Sequence, residues 1–295
     1  MIVDVHAHVF SDAVLQRRAE FAERDRWFGL LNPPGTRRLA TVRRLLEQMD
    51  AGGVDYAVAL AFGWADQALC EEQNEYILAA IRAHPEGTRL IPACSVQPRA
   101  GRAALRELER VAALGCRVVG ELFPDGQGFG LDDRALLAPL LEACAALRVI
   151  PLVHASEPLG RDYAGKGETT PQRLLQLAQL AAEVAPELPV LCAHLGGGLP
   201  YYELMPEVRA VASRLRYDTG AAAYLYAPDA LRHACEIAPG RVLFGSDYPV
   251  IGLRRMLDFV RAAPLSDGDR ESLLGGAAEA LFGPLPRRNA VTIPE

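Results

Sequence analysis

Residues 1–10 read MIVDVHAHVF, a short apolar run that carries two histidines one residue apart. Its β-branched residues and alternation predict a strand over 2–8. Side chains alternate along a strand, so His6 and His8 point the same way, about 6–7 Å apart, while Val3, Val5, Ala7 and Val9 take the other face. A buried strand calls for aliphatic groups on both faces. Two imidazoles on one face are instead two nitrogen donors aimed at one point, as a metal site needs, and further ligands must then come from elsewhere in the chain. A hydrogen-bonded pair of core histidines is the plainer alternative.

Runs of the same kind recur. Strands are predicted at 54–62, 89–97, 116–123, 149–155, 189–195, 215–220 and 241–247, which makes eight with the first. Helical patterns separate them at 41–53, 65–85, 100–115, 132–148, 170–186, Tyr201–Arg214 and 228–240. Many begin on Asp, Thr or Pro and stop at Gly or Pro. Alternation of this kind means parallel strands joined by crossover helices. Eight repeats in about 250 residues predict a (β/α)8 TIM barrel, an α/β fold in one domain over 1–283, with a C-terminal tail at 284–295. Two segments depart from the plain repeat. Residues 10–35, with Trp27, Phe28 and "NPPG", read as a long loop after strand one, and 155–168 as another after strand five. Both follow the C-terminal ends of strands, where a barrel builds its site. No G-x-G-x-x-G follows the first strand, which removes the usual dinucleotide reading.

The bulk numbers exclude several classes. The chain has 295 residues, half of them hydrophobic, and a net charge of −6. Nothing marks the clustered positive charge that nucleic acid or an acidic membrane would attract. Six cysteines, Cys70, Cys94, Cys116, Cys144, Cys192 and Cys235, stand singly and mostly in apolar runs, as buried reduced thiols do. The first residues show no basic segment followed by an apolar stretch, and no run of 18 apolar residues exists. A cytoplasmic protein acting on a small molecule is the expectation, with no nucleic-acid or membrane partner and a homodimer as the assembly allowed for.

Polar residues collect at the ends of the predicted strands. Strand one ends in His6 and His8, strand four in Glu121, strand five in His154, strand six in His194 and strand eight in Asp247. In a closed barrel these ends converge on one mouth. Taken singly, Glu121 reads as a loop acid and Asp247 as a helix cap; together they read as a metal site.

The set His-x-His, Glu, His, His and "GSDYP" resembles the amidohydrolase superfamily, in its amidohydrolase-related branch of metal-dependent hydrolases and decarboxylases. The resemblance runs from His6 to Asp247. It implies one or two divalent metals per chain, with zinc the expected ion. Carried over, His6, His8 and Asp247 bind one metal, His154 binds a metal, and His194 is either a ligand or an acid/base group. Many two-metal members bridge their metals with a carboxylated lysine on strand four. The only lysine here, Lys166, lies after strand five, so Glu121 is the expected bridge. Bound zinc lowers the pKa of its water to about 7, and Asp247 beside it is placed to move the proton.

Three activities follow from the resemblance. The leading one is metal-dependent hydrolysis of a C–N or C–O bond in a small molecule. The alternative is non-oxidative decarboxylation of an aromatic or enoic acid. A TatD-type metal-dependent nuclease is the third, against which the acidic charge argues. Arg161, Tyr163 and Lys166 read either as anchors for a substrate carboxylate or phosphate, or as a solvated loop. Trp27 reads as a pocket wall or as packing for the first loop. "GGG" at 196–198 reads as an anion-facing turn or a simple tight one.

Overall fold

The computed structural model describes residues 1–35 and 39–286. Its strands are β1 (Val3–His8), β2 (Tyr56–Leu60), β3 (Leu90–Cys94), β4 (Val118–Leu122), β5 (Ile150–Val153), β6 (Val190–Cys192), β7 (Leu215–Asp218) and β8 (Val242–Leu243). Each pairs in parallel with the next, in chain order. The ring is joined where β1 meets the chain at and beyond β8. Val5 N donates to Phe244 O at 2.9 Å, Asp247 N to His6 O at 2.8 Å, and Ala7 bridges to Tyr248. The chain forms the expected (β/α)8 barrel.

Two apolar layers hold it. Val3, Val5, Leu60, Ala93, Val118, Leu152, Leu191 and Leu243 meet inside the ring. Ala7, Ala59, Cys94, Val119, Val153 and Cys192 meet Leu45, Ile77, Leu108, Leu141 and Leu177 of the surrounding helices. Each fully buried aliphatic side chain contributes roughly 1.5–3 kcal/mol. The division corrects the simple alternation expected of β1. Val3 and Val5 are inside and Ala7 and Val9 outside, because the pairing with β2 shifts register between Asp4 and Ala7. Such a bulge moves the inward face from odd to even positions, so apolar residues fill the floor and His6 and His8 reach the mouth.

Helices follow their local signals. Thr41 Oγ1 accepts the Arg44 N–H at 3.3 Å and starts Val42–Gly52; Gly53, at φ +69°, ends it. Gln67–Ala83, Arg102–Ala113, Arg134–Leu147, Pro171–Val184 and Asp229–Ile237 lie within the segments expected to be helical. Tyr201–Arg214 divides into Leu199–Tyr202 and Pro206–Ala212, with Pro206 opening the second helix. Beyond residue 240 the chain adds Leu253–Ala262, Asp267–Glu271 and Ala277–Phe282, and Ala277, Ala278 and Phe282 join the inner apolar cluster.

The loop expected over 10–35 is instead three short helices, Asp12–Gln16, Arg18–Arg24 and Arg26–Leu31. Ser11 caps the first and Asp25 the third. Helices of this length are unstable alone. They form because Phe21 and Phe28 are buried against Phe10, Phe62 and Trp64, contacts no local period reveals. Residues 155–168 remain without helix or strand. All six cysteines are buried and unbridged. No helix among the described residues is long and apolar enough to cross a membrane. Residues 287–295 of the expected tail lie outside the described residues.

Candidate metal centre

Three of the four histidines at the barrel mouth place one nitrogen against a backbone carbonyl. His8 Nδ1 lies 3.0 Å from Ala61 O, His194 Nδ1 2.9 Å from Gly220 O, and His154 Nε2 3.0 Å from Gly165 O. A carbonyl only accepts, so each of these nitrogens donates its proton outward. His6 Nδ1 faces a carboxylate, Asp218 Oδ2, at 2.9 Å. The remaining nitrogens all turn inward.

What they meet is a set of acceptors. His6 Nε2 and His8 Nε2 stand 3.1 Å apart. Glu121 Oε2 lies 3.4 Å from His8 Nε2 and 3.8 Å from His6 Nε2, and Asp247 Oδ1 lies 3.6 Å from both. On the other side Glu121 Oε1 lies 2.9 Å from His154 Nδ1 and 3.4 Å from His194 Nε2. Lone pairs facing one another at these distances repel unless a proton or a cation lies between them. The protonation tendencies say the same. Burial would lower His6, yet Asp218, Glu121 and Asp247 outweigh it and draw it up to about 9. His194 is drawn up to about 10 against burial by Glu121, Asp247 and Asp218. Burial would raise Glu121, but His154 and His6 prevail and hold it well below the usual carboxylate range. Asp247 is raised by burial, which the charges of His6, His194 and His8 only partly offset. The cluster demands positive charge, and its imidazole and carboxylate donors suit a divalent cation. Two three-residue groups have the spacing to hold one: His6, His8 and Glu121, and Glu121, His154 and His194.

Backbone strain marks the same place. His194 has φ +56° and Asp247 φ +61°, in the left-handed region that costs a non-glycine residue roughly 1–2 kcal/mol. Such conformations persist where the surroundings over-determine them. For Asp247 they do: Ser246 Oγ donates to Asp4 Oδ2 at 2.6 Å and accepts the Tyr248 N–H at 2.9 Å, pinning both flanks. His194 opens a left-handed turn through Gly198. A Cβ on Gly197 would lie 2.3 Å from Ser156 O, so "GGG" packs this turn against the strand-five loop.

A cavity of about 370 Å³ opens above the donors. His8, Glu121, His154, His194 and Asp247 face it, and Phe10, Leu31, Phe62, Phe123, Tyr224 and Val250 wall it. Phe123 stands edge-on to His154, with ring centres 4.7 Å apart. Arg161 and Tyr163 line the outer part. Trp27 packs behind Phe123, at 5.0 Å between ring centres. Lys166 lies outside the lining: its Nζ donates to Leu159 O and Arg161 O at 3.4 and 3.2 Å. The structure therefore brings together all six residues expected at strand ends.

Asp218 was not among them. It ends β7, just before Thr219 and Gly220, and no neighbouring His-x-His pattern marks it; its position at a strand end was the only signal. It is fully buried, and besides His6 it takes the backbone N–H of His194 at 3.1 Å and of Gly220 at 2.7 Å. Gly220 permits this approach, since a Cβ there would sit 2.9 Å from His6 Nδ1 and 3.2 Å from His194 Nδ1.

A family model described as Amidohydrolase matches residues 3–283. No curated protein matches the chain. Among solved structures it is similar to 5-carboxyvanillate decarboxylase from Sphingomonas paucimobilis, at 20% identity and TM-score 0.76, over 95% of this chain and 98% of that one. It is similar to 2,6-dihydroxybenzoate decarboxylase from Rhizobium, at 20% identity and TM-score 0.71, over 95% and 98%. A dihydroxybenzoic acid decarboxylase from Polaromonas, solved with bound manganese and the inhibitor 2-nitroresorcinol, aligns at 21% identity and TM-score 0.70, over 95% and 96%. At these identities the likeness establishes the fold. It also corrects the leading expectation of a hydrolase acting on a C–N or C–O bond: these structures, aligned over nearly the whole chain, are decarboxylases, and the decarboxylase alternative fits better. The donor set fits a divalent cation, without singling out zinc.

Proposed function

This chain belongs to the amidohydrolase family, and on that footing we propose that it is a metal-dependent, non-oxidative decarboxylase of an aromatic acid. The observation that carries the reading is the apolar wall set directly against the donor cluster. Phe10, Phe62 and Phe123 line the same cavity as His8, Glu121 and Asp247. Aromatic walls hold a planar ring by offset and edge contacts. A ring acid seated there has its carboxylate at the donors and its ring among phenylalanines. The substrates named for the similar solved structures, carboxyvanillate and dihydroxybenzoate, support that substrate class.

In this reading His6, His8, Asp247 and His154 are the ligands, and Glu121 lies between the two histidine pairs. A divalent cation held by them, zinc or manganese, supplies a Lewis acid for the acid's oxygens. His194 and Asp247 move the proton. With Nδ1 donating to the Gly220 carbonyl, His194 presents Nε2 to the cavity, and the imidazolium form carries its second proton there. The ring carbon that bears the carboxylate takes this proton, the electron pair of the breaking C–C bond returns to the ring, and CO2 leaves. Asp247, which faces the same cavity, relays the replacement proton from solvent for the next cycle.

The test measures CO2 release from dihydroxybenzoates and 5-carboxyvanillate, beside hydrolysis of aryl esters and amides. The enzyme is stripped of metal and reloaded with Zn²⁺ or Mn²⁺. CO2 release that a chelator abolishes and a metal restores is expected. Loaded enzyme that releases no CO2 from any of these acids overturns the reading.

A further inference from the structure

The outer end of the cavity holds a guanidinium that pairs with no acid among the described residues. Arg161 lines the cavity, and its Nη2 donates to the Tyr224 carbonyl at 3.0 Å. The acids of its own loop are engaged elsewhere. Glu157 accepts the Tyr163 hydroxyl at 2.9 Å and the Tyr226 hydroxyl at 3.1 Å. Asp162 lies 3.6 Å from Lys166 Nζ. Glu121 and Asp247, at the inner end, face the histidines. Lys166 also donates to the Arg161 carbonyl, which fixes the backbone from which the guanidinium projects.

A guanidinium carries five N–H donors in a planar fork that matches a carboxylate, and the Tyr224 carbonyl uses one nitrogen of it. The volume leaves room for such a partner. A cavity of about 150 Å³ takes benzene, and this one is about 370 Å³. One ring can occupy its middle and still carry a substituent at each end.

We propose that the substrate carries a second carboxylate, away from the one that is lost, and that Arg161 binds it. The inner half of this inference rests on the decarboxylase reading; the outer half rests on Arg161 alone. The site then selects aromatic diacids over monoacids by charge as well as by shape.

Binding, not turnover, tests it. Dissociation constants for benzoate, isophthalate and 3-carbamoylbenzoate are measured by calorimetry on the metal-loaded enzyme. Isophthalate should bind about tenfold or more tightly than the other two, a difference of about 1.4 kcal/mol. Arg161→Gln should bring the isophthalate-to-benzoate ratio close to one. A wild-type protein that binds isophthalate and 3-carbamoylbenzoate equally overturns the proposal without any variant. So does an unchanged ratio in Arg161→Gln. The two readings fail separately. A ratio that collapses in a protein releasing no CO2 keeps the carboxylate subsite and removes the reaction. CO2 release with an unchanged ratio keeps the reaction and removes the subsite.

Discussion

His6 Nδ1 and Asp218 Oδ2 lie 2.9 Å apart, both side chains fully buried, 212 residues apart in the chain. The contact decides which nitrogen of His6 faces the donor cluster. Asp218 Oδ1 meanwhile holds the backbone N–H of His194 and of Gly220, whose carbonyl fixes the His194 ring. One carboxylate therefore orients the His6 and His194 rings together. Outer partners of this kind are typically worth 10–100-fold in metal affinity or activity.

Asp218→Asn should lower metal affinity by about that factor. An amide has one accepting oxygen, so either His6 or the pair of backbone N–H groups then faces an NH2. Competition against a chromophoric chelator reads the change. Affinity equal to wild type would show that His6 is oriented without Asp218.

Glu121 offers one oxygen to each histidine pair, which is how a carboxylate bridges two cations about 3.5–4 Å apart. Titration of metal-free protein with Zn²⁺ should show a tight event and a weaker second one, in which His154 and His194 act as ligands, the proton on His194 is displaced and CO2 release falls; Glu121→Gln should keep only the first. A single event in both proteins would leave Glu121 beside one metal only.

His194→Asn should keep its tightest metal and lose roughly 10²–10⁴-fold in CO2 release, the usual contribution of a positioned acid. Metal analysis and turnover are read on the same preparation. Loss of that metal together with activity would make His194 a ligand rather than the proton carrier.

Buried thiols should make the fold sensitive to alkali. Burial pushes both Cys70 and Cys144 up to about 12, from an ordinary value near 9. Between those values the unfolded chain releases protons that the folded chain retains, so stability is full below pH 9 and falls as pH rises toward 12. The slope approaches about 1.4 kcal/mol per pH unit for each thiol. Cys144→Ala should remove one such share, measured by urea unfolding at pH 8, 9.5 and 10.5. Parallel slopes in variant and wild type would contradict the assignment.

The barrel was legible because its signals are local. Thr41 and Gly53 bound their helix by capping chemistry alone, and the β-rich runs between such helices leave few alternatives to parallel strands. The candidate site was legible for a related reason. His6, His8, Glu121, His154, His194 and Asp247 all sit at the C-terminal ends of runs that a closed barrel must bring to one mouth. The three helices of 12–31 were not legible, since their stability comes from Phe21 and Phe28 meeting Phe62 and Trp64 of the next strand's end. The bulge in β1 was hidden too, because register belongs to a pair of strands and not to either one.

By itself, then, the sequence determined the alternation of strand and helix, the donor residues and their common end of the barrel, since caps, periods and strand ends are properties of short segments. Tertiary structure alone decided which nitrogen of each histidine turns inward, that Glu121 stands between two pairs, and that Asp218 governs His6 and His194. It also set the phenylalanine wall beside the donors and left Arg161 without an acid partner among the described residues. These depend on partners tens to hundreds of residues away, and hydrogen-bond direction and cavity shape exist only once those partners are packed together.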